Sequence, residues 1–289
     1  MPVPRVVKPA ALPLLACLTA GSAAADPLTD ALATPDGNSR FLPPDRATLV
    51  QAETLFRGEL GGQGGDWESL GLRRLPLAGT TLLVESPEQR QGRGIFAWRA
   101  PGAALPWLLQ APHQRDDAHT GTLVRLLFQE QPVQAAMWNS LGRRAPASGG
   151  SADQAHQEDT YWQAMTRAFA SRYPQGRVIQ LHGFDTDKRK SDAAAQMDLI
   201  LSAGHRAPPA WVRSLGTCLN TRLAPLRLGL YPDQVQELGA TTNVQGRLLR
   251  DLGHSAFAHL EMSLPVRERL VADPDLRGRL LECLKADAP

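Results

Sequence analysis

Histidines and carboxylates stand at the carboxyl ends of three strand-like runs of the sequence. His113 and Asp117 follow the first run, and His182 follows the second. Glu261 comes at the end of the third. Because the carboxyl ends of neighbouring parallel strands meet at one edge of a sheet, we expect these side chains to lie close together if the three strands are neighbours.

A pair of imidazoles with one carboxylate is a ligand set typical of catalytic zinc ions, which keep a fourth position for water. The sequence therefore predicts a zinc site formed by His113, His182 and a nearby carboxylate. Such a metal lowers the pKa of bound water toward about 7 and polarises a carbonyl group. A carboxylate that is not a ligand has to carry the proton to the leaving amine, and Glu261 is placed for that role.

Strand-like and helix-like segments alternate through most of the chain, and the sequence has no internal repeats. This order predicts the α/β class, as a three-layer α/β/α sandwich around a mixed, mostly parallel sheet. Hydrophobic periodicity and Gly/Pro breaks place the individual elements. We predict strands at residues 81–85, 94–98, 107–111, 178–181, 197–201 and 257–262, and helices at residues 46–60, 120–131, 158–173, 211–223 and 265–284.

The domain organisation expected from this pattern is one unit from residue 26 onward. Residues 101–289 would form the catalytic domain, and residues 26–100 an N-terminal extension with a helix and edge strands. Two segments are predicted to lack regular structure. Residues 26–45, which contain four prolines, would be extended, and residues 145–157 would form an exposed loop.

The same residues carry a resemblance to a known superfamily. The pattern is His-x-x-x-Asp followed by Thr-Gly, then a strand that ends in His-Gly-Phe, then a late strand that ends in Glu, within about residues 107–267. It resembles the zinc carboxypeptidase-like superfamily, and in particular the compact bacterial poly-γ-glutamate hydrolases and N-formylglutamate amidohydrolases. Carboxypeptidases proper use His-x-x-Glu, which would select Asp116, whereas Asp117 keeps the Thr-Gly offset of the compact branches and is preferred.

The resemblance implies hydrolysis of an amide or peptide bond, one zinc ion on His113, Asp117 and His182, and Glu261 as general base. It also implies an arginine that holds a substrate carboxylate. The predicted anchor is Arg247, with Asn243 beside it, in a Gly-containing loop between His182 and Glu261. A guanidinium fork and an amide match the geometry of a carboxylate. Arg143 and Arg144 are the alternative pair, and a salt bridge on a helix surface is the alternative explanation for Arg247.

The N-terminus has the pattern of a secretory signal peptide. Basic residues at Arg5 and Lys8 precede a short apolar run, and small residues end at Ala25. This predicts cleavage after Ala25 and a periplasmic or secreted protein. Cys17 leaves open a lipid-attachment alternative. No later segment has enough consecutive apolar residues for a membrane span, which takes about 20.

Cysteine content and charge narrow the expected function. Removal of the signal leaves Cys218 and Cys283, a candidate disulfide in an oxidising compartment. Thirty-one basic residues against 29 acidic ones argue against nucleic-acid or acidic-membrane partners. The sequence thus predicts an exported zinc-dependent hydrolase of a small carboxylate-bearing amide or peptide, of γ-glutamyl or cell-wall type. The alternative is a periplasmic zinc- or ligand-binding protein without catalysis.

Overall fold

The structure is a computed structural model of the chain, and it describes residue 1 and residues 26–34, 39–77, 79–87, 90–102 and 104–286. The predicted signal peptide, except for Met1, lies outside these residues, and so do its cleavage site at Ala25 and Cys17. No helix within these ranges is long and apolar enough to cross a membrane.

Nine strands in the described part of the chain form one sheet. In chain order they are β1 (Leu72–Leu77), β2 (Thr80–Glu85), β3 (Ile95–Arg99), β4 (Leu105–Ala111), β5 (Val133–Trp138), β6 (Arg177–Phe184), β7 (Leu199–Ser202), β8 (Leu228–Leu230) and β9 (Phe257–Ser263). Their order across the sheet is β1-β2-β3-β5-β4-β6-β9-β7-β8. The three strands that carry the candidate site residues, β4, β6 and β9, are therefore direct neighbours.

The sheet is mixed, as the sequence predicts. β5, β4, β6 and β9 pair in parallel at its centre, and β7 pairs in parallel with β8. The other pairs are antiparallel, because β1–β3 form a meander along one side and β7 runs opposite to β9. Parallel pairs therefore make up half of the sheet rather than most of it, and they are the pairs that position the site.

Helices cover both faces of this sheet. They are α1 (Pro27–Ala33), α2 (Arg46–Leu60), α3 (Thr120–Glu130), α4 (Tyr161–Arg172), α5 (Asp192–Ala195), α6 (Ala210–Arg222), α7 (Val244–Asp251), α8 (Leu264–Ala272) and α9 (Pro274–Lys285). α1, α3, α6, α8 and α9 contribute to one hydrophobic core, and α2, α4 and α7 contribute to a second. Successive β4 residues enter different cores, Leu108 the second and Leu109 the first, as the alternation of a strand requires. The three-layer α/β/α arrangement is confirmed.

Several segments differ from the prediction, among them the three that follow. Residues 26–45 are not wholly extended, since they contain α1, where Asp26 accepts a hydrogen bond from the Leu28 N–H as the N-cap and Pro27 starts the helix. β5 was absent from the prediction because every residue of it is buried, so it shows no alternating polarity. The single helix predicted at the C-terminus is two helices, which meet at Asp273, the N-cap of α9.

The candidate disulfide is present. Cys218 in α6 is bonded to Cys283 in α9, 65 residues further along the chain. The bond ties together two helices on the same face of the sheet. A disulfide is typical of proteins in oxidising compartments.

Candidate metal centre

Three donor atoms from β4 and β6 meet at the carboxyl edge of the sheet. His113 and Asp117 follow β4 in a helical turn, in which the Asp117 N–H donates to the His113 carbonyl at 2.7 Å. His182 lies in β6. The Nδ1 atoms of the two histidines are 3.1 Å apart, and Asp117 Oδ2 lies 3.5 Å from His113 Nδ1 and 3.6 Å from His182 Nδ1. All three side chains are buried.

These distances fit a metal ion. Zinc bonds of about 2.1 Å in a tetrahedron place neighbouring ligand atoms about 3.4 Å apart. The observed triangle of 3.1, 3.5 and 3.6 Å is close to that spacing. Asp116 takes no part, since it is exposed and its carboxylate accepts from the Arg143 backbone N–H. The structure thus brings Asp117, and not Asp116, to the histidines.

A chain of buried amides fixes the tautomer of His182. Asn243 Oδ1 accepts from the Gly246 N–H, so Asn243 Nδ2 is the atom that donates to Gln180 Oε1, at 2.6 Å. Both hydrogens of the Gln180 amide are used, by Gln110 and Gln245. His182 Nε2, 2.9 Å from Gln180 Oε1, therefore faces an acceptor and carries the proton. His182 Nδ1 is left with its lone pair directed at the other two donors.

Asp153 orients the other histidine. Its Oδ1 lies 2.8 Å from His113 Nε2 and accepts that proton, which again leaves Nδ1 for the cluster. Burial opposes ionisation of Asp153, but hydrogen bonds from His113 and His156 outweigh it and lower its pKa. A histidine that ligates a metal commonly donates its other N–H to a carboxylate in this way. Asp153 belongs to the segment predicted to be an exposed loop, yet Ala152 and Gln154 are buried and the segment packs against the site.

The pKa values of the two histidines are shifted in opposite directions, so that His113 holds an additional proton and His182 does not. Burial lowers the pKa of His113, but hydrogen bonds to Asp117 and Asp153 raise it further, to about 9. Burial lowers the pKa of His182 to about 4, and the charge on His113 adds to that effect. A metal ion would displace the proton on His113, so metal binding should release a proton.

Substitution of Gln180 by leucine is expected to weaken zinc binding by about 10–100-fold, the usual cost of losing a hydrogen-bond partner of a ligand. The reason is that His182 then has no acceptor to hold its proton at Nε2. Competition with a chromogenic chelator measures the effect. Gln134→Leu is the matched control, because Gln134 is also a buried glutamine of the sheet and its amide donates to the Arg99 carbonyl instead of taking part in the chain of buried amides. Equal losses in both variants would contradict the role of Gln180.

Glu261 lies beside the donors, and one of its two carboxylate oxygens has no hydrogen-bond partner among the described residues. It is paired in register with His182 across β6 and β9. Its Oε1 is 3.7 Å from His259 Nε2, and its buried Oε2 has no hydrogen-bond partner among the described residues. Burial raises the pKa of Glu261 to about 8, and the charge on Asp117 adds to this. A carboxyl group with these properties is suited to accepting and returning a proton.

His259 is a buried member of the site that the sequence prediction did not include. Its ring packs on that of His182, with centroids 4.4 Å apart. Desolvation holds the pKa of His259 well below its usual range. The signal for it is the strand period, since residues 259 and 261 lie on the same face of β9.

The donors open into a cavity of about 860 Å³. Its basic lining residues are Arg143, Arg144, Lys188, Arg189 and Arg267. Lys188 pairs with Asp185 and Arg189 with Glu237, whereas the three other arginines have no ion pair within the described part of the chain. Arg143 Nη1 lies 3.3 Å from His113 Nδ1, so its guanidinium points at the donor cluster.

The structure corrects the predicted substrate anchor. The segment around Arg247 is not a loop, because Asn243 caps the start of α7 there. Arg247 lies on the exposed side of that helix, pairs with Glu158 and does not line the cavity. Asn243 does line the cavity, but its amide is engaged by the helix cap and by Gln180. Of the arginines considered from the sequence, Arg143 and Arg144 are the ones at the site.

The fold and the site together define an α/β protein with a buried His-Asp-His donor set beside a buried glutamate. No protein-family model matches the chain, and neither does any curated protein sequence. Its structure is similar to several solved structures from the groups that the sequence motifs resemble. A metallo-carboxypeptidase from Burkholderia cenocepacia is 10% identical, with a TM-score of 0.40 over 84% of this chain and 68% of that one.

Two further solved structures are smaller. An N-formylglutamate amidohydrolase from Ralstonia eutropha is 12% identical, with a TM-score of 0.42 over 64% of this chain and 95% of that one. A bacteriophage poly-γ-glutamate hydrolase is 12% identical, with a TM-score of 0.40 over 62% of this chain and 82% of that one. At these levels of similarity, the case for an activity rests on the geometry of the site.

Proposed function

We propose that this chain is an exported, zinc-dependent hydrolase of amide or peptide bonds in substrates that bear a free carboxylate. One observation carries the proposal. His113 Nδ1, His182 Nδ1 and Asp117 Oδ2 lie 3.1–3.6 Å from one another, which is the spacing of zinc ligands, while a separate partner accepts the Nε2 proton of each ring. Imidazole nitrogens favour zinc over magnesium or calcium, which prefer oxygen ligands.

The residues around the donors would divide the work of hydrolysis. Zinc on His113, Asp117 and His182 would supply an acidic water and polarise the scissile carbonyl. Glu261 accepts one proton from the attacking water at its carboxylate and then gives it to the nitrogen of the leaving amine. Arg143 is placed at the cluster to bind a substrate oxygen through its guanidinium.

The substrate class follows from charge and compartment. The unpaired arginines of the cavity favour an anionic ligand, and carboxylates match the guanidinium fork. The predicted signal peptide and the disulfide between Cys218 and Cys283 favour an extracytoplasmic location, where γ-glutamyl and cell-wall peptides are available. These are the substrates that we propose.

The test begins with the chain from residue 26 onward, purified without chelator or polyhistidine tag. Elemental analysis is expected to find about one zinc ion per chain. Release of primary amine from γ-glutamyl and N-acyl amino acids then measures turnover, which should be lost with a chelator and restored by zinc. The same compounds with their carboxylates amidated are the control. A folded chain that takes up no zinc from an excess would contradict the proposal.

A further inference from the structure

Two arginines without an ion pair in the described part of the chain reach the cavity from segments on opposite sides of the strands that carry the donors. The donors follow β4 and β6, which are the middle pair in the strand order β5-β4-β6-β9. Arg143 comes after β5, on one side of that pair. Arg267 comes after β9, on the other side, in the first half of α8. Both line the cavity.

The guanidinium of Arg267 is held rigidly. The side chain is 6% exposed, its Nε donates to the Met262 carbonyl at 3.1 Å and its Nη1 donates to the Ala118 carbonyl. Gly183 makes room for it, because a β-carbon at that position would lie 2.4 Å from Arg267 Cζ. The glycine of the His-Gly-Phe motif is thus explained by the guanidinium that packs on it.

Arg267 nevertheless lacks an anionic partner. Within the part of the chain that the structure describes, no carboxylate forms an ion pair with it and no hydrogen bond uses its Nη2. The charges of Asp117 and Glu261 act on it from nearby without contact. A buried charge without a paired counter-charge is costly, so an anion that binds Arg267 from the cavity gains a strong interaction.

We propose that Arg267 is a second anion-binding residue of this cavity, and that the substrate carries an acidic group on each side of the scissile amide. The inference rests on the proposed function, because that function defines which amide bond is cleaved. A fixed guanidinium fork presents two N–H groups in the geometry of a carboxylate. Arg143 on one side and Arg267 on the other would then bind the two ends of the same molecule.

Equilibrium binding tests the two arginines separately. The zinc-loaded chain carries Glu261→Gln, so that the probes are not consumed. The probes are γ-glutamylglycine, which has one carboxylate on each side of its amide, and two analogues, one amidated on the acyl side and one on the amine side. Arg143→Gln and Arg267→Gln are each expected to weaken binding of the doubly acidic probe about tenfold or more, the scale of a charged hydrogen bond. One of the two variants should lose the preference for a carboxylate on the acyl side, and the other should lose the preference for a carboxylate on the amine side.

Three further variants separate recognition from damage to the fold. Arg267→Lys should restore part of the affinity. Gly183→Ala should act like Arg267→Gln without loss of zinc, because it displaces the guanidinium. Lys188→Gln, which removes an exposed charge of the same cavity that is already paired with Asp185, should change little.

The outcomes distinguish this inference from the proposed function. If Arg267→Gln binds every probe as its parent does, or if both arginine variants lose the same carboxylate preference, the assignment of Arg267 is wrong. If the pattern holds but the chain with Glu261 intact cleaves no probe, the anion site stands and the hydrolase does not. If the chain with Glu261 intact cleaves the probes but the arginine variants do not lose different carboxylate preferences, the hydrolase is supported and the role of Arg267 is contradicted.

Discussion

A chain with His182→Ala is expected to lose its zinc. Two ligands would remain, both on one short turn after β4. Loss of a ligand's hydrogen-bond partner lowers metal affinity about 10–100-fold, and loss of the ligand itself should lower the zinc affinity by more than that. The effect is measured by elemental analysis of the His182→Ala variant and of the parent chain, both purified without chelator. The expected result is about one zinc ion per chain in the parent and a small fraction of that in the variant.

The control for this experiment is His205→Ala. His205 does not line the cavity and is not near enough to other histidines or carboxylates of the described residues to share a metal ion with them. It should keep full zinc content. Thermal unfolding checks that His182→Ala folds, and added zinc should raise the melting temperature of the parent but not of the variant, since a ligand that binds the native state stabilises it. Equal zinc in both chains would place the metal elsewhere.

The position of the site could be predicted because it depends on strand ends. β4 and β6 contain the predicted strands at residues 107–111 and 178–181, and β9 extends the strand predicted at residues 257–262 by one residue. Once these strands are parallel neighbours, as they are, His113 and His182 have to meet at the same edge. Local periodicity is enough to predict the strand ends, whereas the strand order that brings them together is seen in the structure.

The partners of the donors could not be predicted, because they depend on contacts between distant segments. The segment with Asp153 is rich in Ser, Gly and Ala, which is typical of an exposed loop. It is held in place by side chains and backbone from elsewhere: Asn139 donates to the Ala152 carbonyl, and the Val244 N–H donates to the Ala155 carbonyl. Nothing in the local sequence indicates these bonds.

The error at Arg247 has a local cause. Gly246 suggested a loop, whereas Asn243 is the N-cap of α7 and its Oδ1 bonds the Gly246 N–H. An asparagine before a short amphipathic segment is a recognised start signal for a helix. With that signal, Arg247 would have been assigned to a helix surface, where the structure places it beside Glu158.

Arg267 was missed for a different reason. In the sequence it is one of several charged residues in a helical stretch, where solvent exposure is the usual outcome. Its burial follows from the absence of a side chain at Gly183 and from carbonyl groups that take up two of its nitrogens. These features come from two different parts of the chain.

Substitution of Glu261 by glutamine is expected to lower kcat by about 10²–10⁴-fold, the usual contribution of general acid–base catalysis, while zinc content stays at one ion per chain. Glutamine keeps the size of the side chain, but its amide cannot accept a proton from water and return it to an amine. Steady-state rates with the best substrate of the amide panel, together with elemental analysis, measure both quantities.

Glu268→Gln, an exposed site in α8, is the matched control and should keep the parent rate. A rate unchanged in Glu261→Gln would assign the proton transfer to another group. Full zinc content without turnover in either chain would favour the non-catalytic zinc-binding protein over the hydrolase, because the two share every ligand and differ only in their need for this carboxylate.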